Sequence, residues 1–517
     1  MQREDLNMED KILKTNIYLN DVLFNDSCEQ AIDIDFTLPD YCPDISKIFK
    51  CQAVPRVSSK GLNGKNINID GTVLLTIIYS DRDGNLCSYE YQYPFSKNLE
   101  ITEEFSGVNL ACYTKTEYIN CRAITGRKVD IHGAVGIIIK IFKRKSEEII
   151  SDIDDSNIEL YRGVAPATVP MGYAEKYLLV EEELILSESQ PNVRNILRTD
   201  AKSCIRETKI VNDKAVVKGE MTVCILYCAE GISCPQNFKT TIPFSQIIDV
   251  DGLNDSCSCE TKSEIAFFEV KPRVSSTGEI KTFALTAKLL LTTSAWCSNE
   301  IAVVLDAFSR KYQADIKKNK MCFEKILFNI SETYHCKKGI ELENSIDSII
   351  DLWCNINSVS VRFENENIII LGVISASIIA SDQKENLCYF EKTIDFEYKY
   401  PLPQYSGILS CKPEIEIISC SYTLLSPENI EIRADISVNA AIYEKNEMSL
   451  ISDFCVDKNK LNCSNKKGAM IIYFTSEGDR VWDIARIYNS AVQDIMKINN
   501  LESETLPEGK MLLIPMT

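Results

Sequence analysis

Histidine is almost missing from this chain: there are two in 517 residues, His132 and His335. A nucleophile relayed through imidazole would need one of them. His132 sits in the alternating run Val129–Val135, and His335 stands beside Cys336 near a repeat boundary, so both are expected to be strand residues. Metal-ligand spacing is equally scarce. Cys257-Ser-Cys259 is not the C-x₂-C pair of a structural zinc site, and no second pair stands at a suitable distance, so no metal and no cofactor are expected. A G-x-x-x-x-G-K-[ST] loop is absent, which leaves nucleotide turnover unsupported. No apolar run approaches the roughly 18–20 residues of a membrane helix, and Met1–Asp10 is charged without the apolar core of an export signal. Basic residues are in deficit, 56 against 75 acidic, for a net charge of −19. That balance argues against nucleic acid and against an anionic membrane surface, both of which need a basic face.

Carboxylates and cysteines are plentiful. Glu181–Glu183 and Asp152–Asp155 are expected to be solvated faces, since a glycosidase pair needs a single cleft in which one acid is raised. The 21 cysteines do not follow a disulfide framework; several lie inside strand-like runs such as Val223–Cys228, as reduced thiols acting as small hydrophobes.

Internal repetition organises residues 1–456. Pro43–Phe49, Pro191–Leu197 and Asn344–Ile350 share apolar residues at their third, sixth and seventh places, a spacing that predicts one short helix in each copy. Counting 28 from each first residue reaches Gly71, Gly219 and Gly372, each opening a strand of alternating character. Turn chemistry follows at Asp81–Gly84 and Asp382–Asn386, and then a returning strand. Arg56 and Arg273, in a Pro-Arg-Val-Ser-Ser stretch used twice, are taken as strand-edge structural residues. Asp44 is placed at the start of the first short helix, where a carboxylate favours the dipole.

The predicted architecture is mainly β. Three tandem antiparallel units with one short helix each span 12–150, 176–312 and 322–456. Arg162–Gly172 is expected as a linker and Asp457–Gly468 as a tether, leading to a small β-α-α-β domain over 470–517.

That last segment carries the most specific motif. Ile471–Tyr488 contains Gly-Asp-x-x-Trp-x-Ile-Ala; Ile495–Leu501 ends in Asn-x-Leu; Gly509–Pro515 closes with Gly-x-x-Leu-x-Ile-Pro. Gly478 permits a tight turn and Asp479 is placed to cap the helix that follows. Trp482, Ile484, Ala485 and Tyr488 recur at helical spacing as a core face. This order resembles a LysM domain, a module that binds N-acetylglucosamine polymers or another protein. The resemblance places a shallow groove at Gly478, Asp479, Arg480 and Val481 against Asn500 and Leu501. Arg480 stands where threonine is usual, and Glu477 adds charge, which tilts the groove toward a protein partner.

Repeated β units carrying Leu38-Pro-Asp-Tyr-Cys-Pro-Asp-Ile45, followed by LysM, resemble spore-coat morphogenetic proteins of SipL type, built on SPOCS domains. The resemblance implies a non-enzymatic scaffold or adaptor in spore coat or envelope assembly. It further implies action in the mother-cell cytoplasm at the forespore surface, with LysM docking to coat morphogenetic proteins such as a stage IV coat-basement ATPase. The rival function is a cell-wall protein that binds peptidoglycan or chitin-type glycan; a wall hydrolase is third.

Overall fold

A computed structural model describes residues 12–515 apart from 233, 277, 365, 385, 406 and 463–468. The charged segment Met1–Asp10 and the second half of the expected tether, 463–468, lie outside the described residues.

The first unit contains Ile12–Thr37 (β1), Lys47–Asn63 (β2), Asn66–Ser80 (β3), Leu86–Glu100 (β4), Asn109–Ala123 (β5) and Lys128–Ile153 (β6). They form two antiparallel three-stranded sheets, β1-β6-β5 and β2-β3-β4. The second unit repeats this with Ile158–Ile185 (β7), Val193–Val211 (β8), Lys214–Ala229 (β9), Gln236–Asp249 (β10), Cys257–Val274 (β11) and Ile280–Ser309 (β12). The third does so with Tyr312–Glu341 (β13), Ser348–Glu364 (β14), Asn367–Ser381 (β15), Leu387–Pro401 (β16), Ile408–Ser426 (β17) and Asn429–Leu461 (β18). In each unit the facing sheets bury one apolar core, fed by alternate residues such as Val73, Leu75 and Ile77 of β3.

The glycine spacing survives intact. Gly71, Gly219 and Gly372 occupy the same place in β3, β9 and β15, the central strands, and lie opposite Phe95, Phe244 and Phe396. Each phenyl ring folds over its glycine and fills the space that a Cβ would need. The turns also agree: Asp81 accepts from the amides of Asp83 and Asn85, and Asp382 from those of Lys384 and Asn386.

The three short helices are not there. Among the described residues helix occurs only near the C-terminus, and 43–49, 191–197 and 344–350 lead into β2, β8 and β14. The apolar pairs that suggested helical spacing mark a β-bulge instead. The ladder register shifts at Phe49, Leu197 and Ile350. Consecutive residues of a regular strand face opposite ways, and the bulge re-aims the second one. Ile48, Ile196 and Ile349 therefore pack into their own sandwiches, whereas Phe49, Leu197 and Ile350 gather in one cluster with Ile78, Leu226 and Ile379. Asp44 accordingly serves no helix; it pairs with Arg127 at 3.0 Å and Arg82 at 2.9 Å.

That shared cluster shows how the units are arranged. All three contribute to it from equivalent positions, and they meet again where Ile149, Val303 and Leu450 pack together, and where Ile150, Val304 and Ile451 do. Each pair of units also shares an ion pair: Lys60–Glu175 at 2.6 Å, Arg198–Asp351 at 2.7 Å and Lys50–Glu391 at 2.7 Å. The arrangement is a closed triangle with approximate threefold symmetry. Its centre holds a cavity of about 520 Å³ lined in part by Arg56, Lys60, Lys202, Glu264 and Glu416. Arg56 stands in the edge strand β2 and also bridges two units: its guanidinium lies 5.7 Å from the Phe268 ring centre of unit two and donates to the Phe268 carbonyl at 3.4 Å. Arg273 pairs with Glu183.

Two boundaries move. Arg162–Gly172 is the first half of β7, paired along β12 as far as Val304, so the expected linker is strand. Asp457–Leu461 completes β18. One pair of cysteines also departs from the reduced state expected: Cys257 and Cys297 are register partners in β11 and β12, close enough to be joined as a disulfide.

Candidate functional site

The C-terminal domain consists of Met470–Phe474 (β19), Val481–Tyr488 (α1), Val492–Ile498 (α2) and Met511–Pro515 (β20), with β19 and β20 antiparallel. The core is Val481, Trp482, Ile484, Ala485, Val492, Ile495, Leu506, Leu512 and Ile514, in the phase read from the sequence.

The loop from Ser476 to Arg480 and the segment after α2 lie side by side, joined by the bridge between Arg480 and Thr505 and by Val481 N–H to Glu504 carbonyl at 3.0 Å. Gly478 sits exposed at φ +87°, a conformation that any side chain would strain. Asp479 does not cap α1. Its carboxylate accepts from Tyr473 Oη and from the Ser476 amide, both at 2.8 Å, and so staples the turn; Arg480 occupies the cap position. Arg480 is held by Asp483 through Nε at 2.9 Å and Nη2 at 3.2 Å, and its guanidinium lies 5.7 Å from the Tyr161 ring centre. Its pKa is raised, first by that hydrogen bond and then by the Asp483 charge. Val481 is fully buried and contributes no accessible surface to the groove. Asn500, at φ +50°, is exposed, and Leu501 is half buried against the core. Five of the six expected groove residues thus offer side chain or backbone to solvent, and Val481 does not.

Trp482 does more than fill a core. Its ring meets Phe308 edge-on at 5.1 Å and Tyr161 at 5.2 Å, and its Nε1 donates to Asp306 Oδ2 at 3.1 Å. Arg486 and Lys318 reach the same carboxylate at 2.8 and 2.9 Å. Burial raises the Asp306 pKa, but the bonds from Lys318 and Trp482 and the Arg486 charge outweigh it and leave the acid lowered. The domain is therefore seated on the end of unit two. Nothing in the sequence signalled Asp306, Phe308 or Tyr161 as its socket, because they lie more than a hundred residues away in unremarkable strands.

The remaining candidates are structural. His132 lies between Asp33 at 3.1 Å and Asp130 at 2.9 Å, and exposed His335 pairs with Asp435 at 2.7 Å while Cys336 faces the core. Among the described residues no cluster of acids, cysteines and histidines could hold a metal, and no helix is long and apolar enough to cross a membrane.

Paired-sheet repeats closed by a small β-α-α-β binding module define the class, and the comparisons with known proteins agree. Two segments, 44–124 and 192–272, match the SipL SPOCS domain, and 476–515 match the LysM domain. The chain thus carries the SipL-type order, SPOCS segments followed by a C-terminal LysM. Each SPOCS match runs from the entry of β2 or β8 to the end of β5 or close to the end of β11, and the two begin the same distance apart as Gly71 and Gly219. Unit three has the same strands and sheet orders. A search of curated proteins and a search of solved structures each found no match.

Proposed function

We propose that this protein is a non-enzymatic scaffold of spore coat or envelope assembly, acting in the mother cell at the forespore surface. The LysM groove at Gly478, Asp479, Arg480, Asn500 and Leu501 docks a protein, a coat-basement morphogenetic ATPase of stage IV sporulation being the partner implied by the SipL-type order. SPOCS and LysM are non-catalytic domain families, which supports the non-enzymatic reading.

The observation that favours protein over glycan is the placement of Trp482. A sugar ring stacks on an open aromatic face, and this indole is 3% exposed and turned toward Asp306. The groove instead carries the charges of Glu477, Arg480, Glu502 and Glu504, which gain more from a complementary protein surface than from a neutral polymer. The alternative, a peptidoglycan- or chitin-type glycan-binding wall protein, rests on the LysM match itself.

The test uses the full chain with purified coat-basement ATPase in one assay and insoluble peptidoglycan in another. Arg480→Ala is expected to weaken ATPase binding while global stability changes by about 0.5 kcal/mol. Tight sedimentation with peptidoglycan and no ATPase binding would establish the glycan reading.

A further inference from the structure

A second cavity, of about 370 Å³, lies between units two and three. Its wall holds three thiols, Cys224 of β9, Cys354 of β14 and Cys420 of β17, together with the cations Arg198, Lys202 and Lys239 and the carboxylates Asp200 and Asp351. Cys354 and Cys420 are hydrogen-bonded to each other across the two sheets of unit three. Cys354 is buried, whereas Cys420 is half buried and faces the cavity lining. Neighbouring bonds hold the two strands together here: Cys420 Sγ donates to the Leu352 carbonyl at 3.6 Å, and Tyr422 Oη to that of Ile349 at 3.0 Å.

We propose that Cys354 and Cys420 form a redox-active dithiol that a small hydroperoxide, entering this cavity, converts to an intrachain disulfide. Cys420 is the attacking sulfur. Its pKa is lowered by the hydrogen bond from Cys354, with burial and the Asp351 charge opposing and the Lys202 and Lys239 charges helping; that of Cys354 is raised by the same bond and by burial. Thiolate character beside cations is what makes a cysteine reactive. The Cys420 thiolate attacks one oxygen of hydrogen peroxide, the O–O bond breaks, and hydroxide leaves to take up a proton as water. Cys420 is now a sulfenic acid. The Cys354 thiol attacks that sulfur, the S–O bond breaks, and a second water departs carrying the thiol proton. Two thiols have lost two electrons and the peroxide has gained them.

The product would tie β14 to β17, and so fasten the two sheets of unit three beside its contact with unit two. Unit one offers an internal comparison. Cys51 and Cys121 are also hydrogen-bonded across their sheets, but the charge acting on Cys121 is that of Asp130, which opposes its thiolate, and Lys50 acts on Cys51.

The experiment treats the full chain with one equivalent of hydrogen peroxide at pH 7, alkylates the remaining thiols and maps unreduced peptides by mass. A cross-linked pair containing Cys354 and Cys420, lighter by two hydrogen atoms, should appear about tenfold faster than modification of the exposed Cys322 and Cys455. It should also precede any Cys51–Cys121 link. In Cys354→Ser the Cys420 sulfenic acid should be trapped by dimedone, and in Cys420→Ser no link should form. Exposed thiols consumed first, with Cys354 and Cys420 still alkylated as free thiols in the wild-type chain, would overturn the proposal without recourse to either variant.

Discussion

Replacing Asp306 by alanine should release the LysM domain from unit two without unfolding it. The carboxylate receives three donors: Trp482 Nε1, Arg486 and Lys318. Orphaning the buried indole N–H costs about 1–3 kcal/mol. The other two partners are discounted, because Arg486 and Lys318 are 50% and 35% exposed and such pairs contribute roughly 0.5 kcal/mol each. The seat should therefore weaken by about 2–4 kcal/mol, roughly a thirty- to thousandfold rise in the open population. Exchange of the Trp482 indole proton, followed by NMR in a chain with three tryptophans, reads this opening directly. The backbone amides of Ile484 and Ile495 report the fold of the domain itself. Fast indole exchange with those amides still protected is the expected result. Loss of both protections together would refute the argument, since Asp306 would then be holding the fold rather than the seat. The same carboxylate sets a pH limit. Its folded pKa is lowered, so its contribution is complete above the ordinary carboxylate range and fades as pH falls below about 4.

Asp351→Ala should cost about 3–5 kcal/mol in chemical denaturation, because it leaves the buried Arg198 guanidinium between units two and three with only the more distant Asp200, at 3.5 Å; an effect under 1 kcal/mol would show that Asp200 or water takes the carboxylate's place. Gly219→Ala forces a methyl against the Phe244 ring and should lose about 1–3 kcal/mol, read as a lower melting temperature. Glu264 faces the central cavity with its pKa raised, first by desolvation, so its ionised form opposes folding near neutral pH. Glu264→Gln should stabilise the chain at pH 7, with the gain shrinking as acid protonates the wild-type residue; a gain that is constant with pH would exclude this cause.

What could be read in advance was local. The equally spaced glycines of β3, β9 and β15, the aspartate turns and the helical phase of Trp482 with Ala485 all depend on near neighbours in sequence, and each appears where its spacing indicated. The short helices failed for an instructive reason: two adjacent apolar residues satisfy helical spacing and a bulged strand equally well, and only the presence of neighbouring units gives Phe49, Leu197 and Ile350 somewhere to go. Arg162–Gly172 looked like a linker because of its prolines and glycines, yet β7 accommodates Pro166 and Pro170 as an edge strand of its sheet. In the LysM groove, residue types indicated where the loops meet but not that Asp479 staples its own turn, nor that Arg480 leans on Tyr161.

Phe49, Leu197 and Ile350 each turn outward at the same bulge, and between them they leave no fourth place. Stacked repeats of the solenoid kind expose a fresh interface at either end and can in principle be lengthened without limit. Here every inter-unit surface is already consumed by another unit of the same chain, so growth by adding copies is closed off. The symmetry is also frozen covalently, which lets the corners differ. The Leu38–Ile45 loop marks only the first, the Cys257–Cys297 bond only the second, and the LysM seat hangs from that same second corner. A partner arriving at this molecule meets a surface with one address, however alike its three faces look.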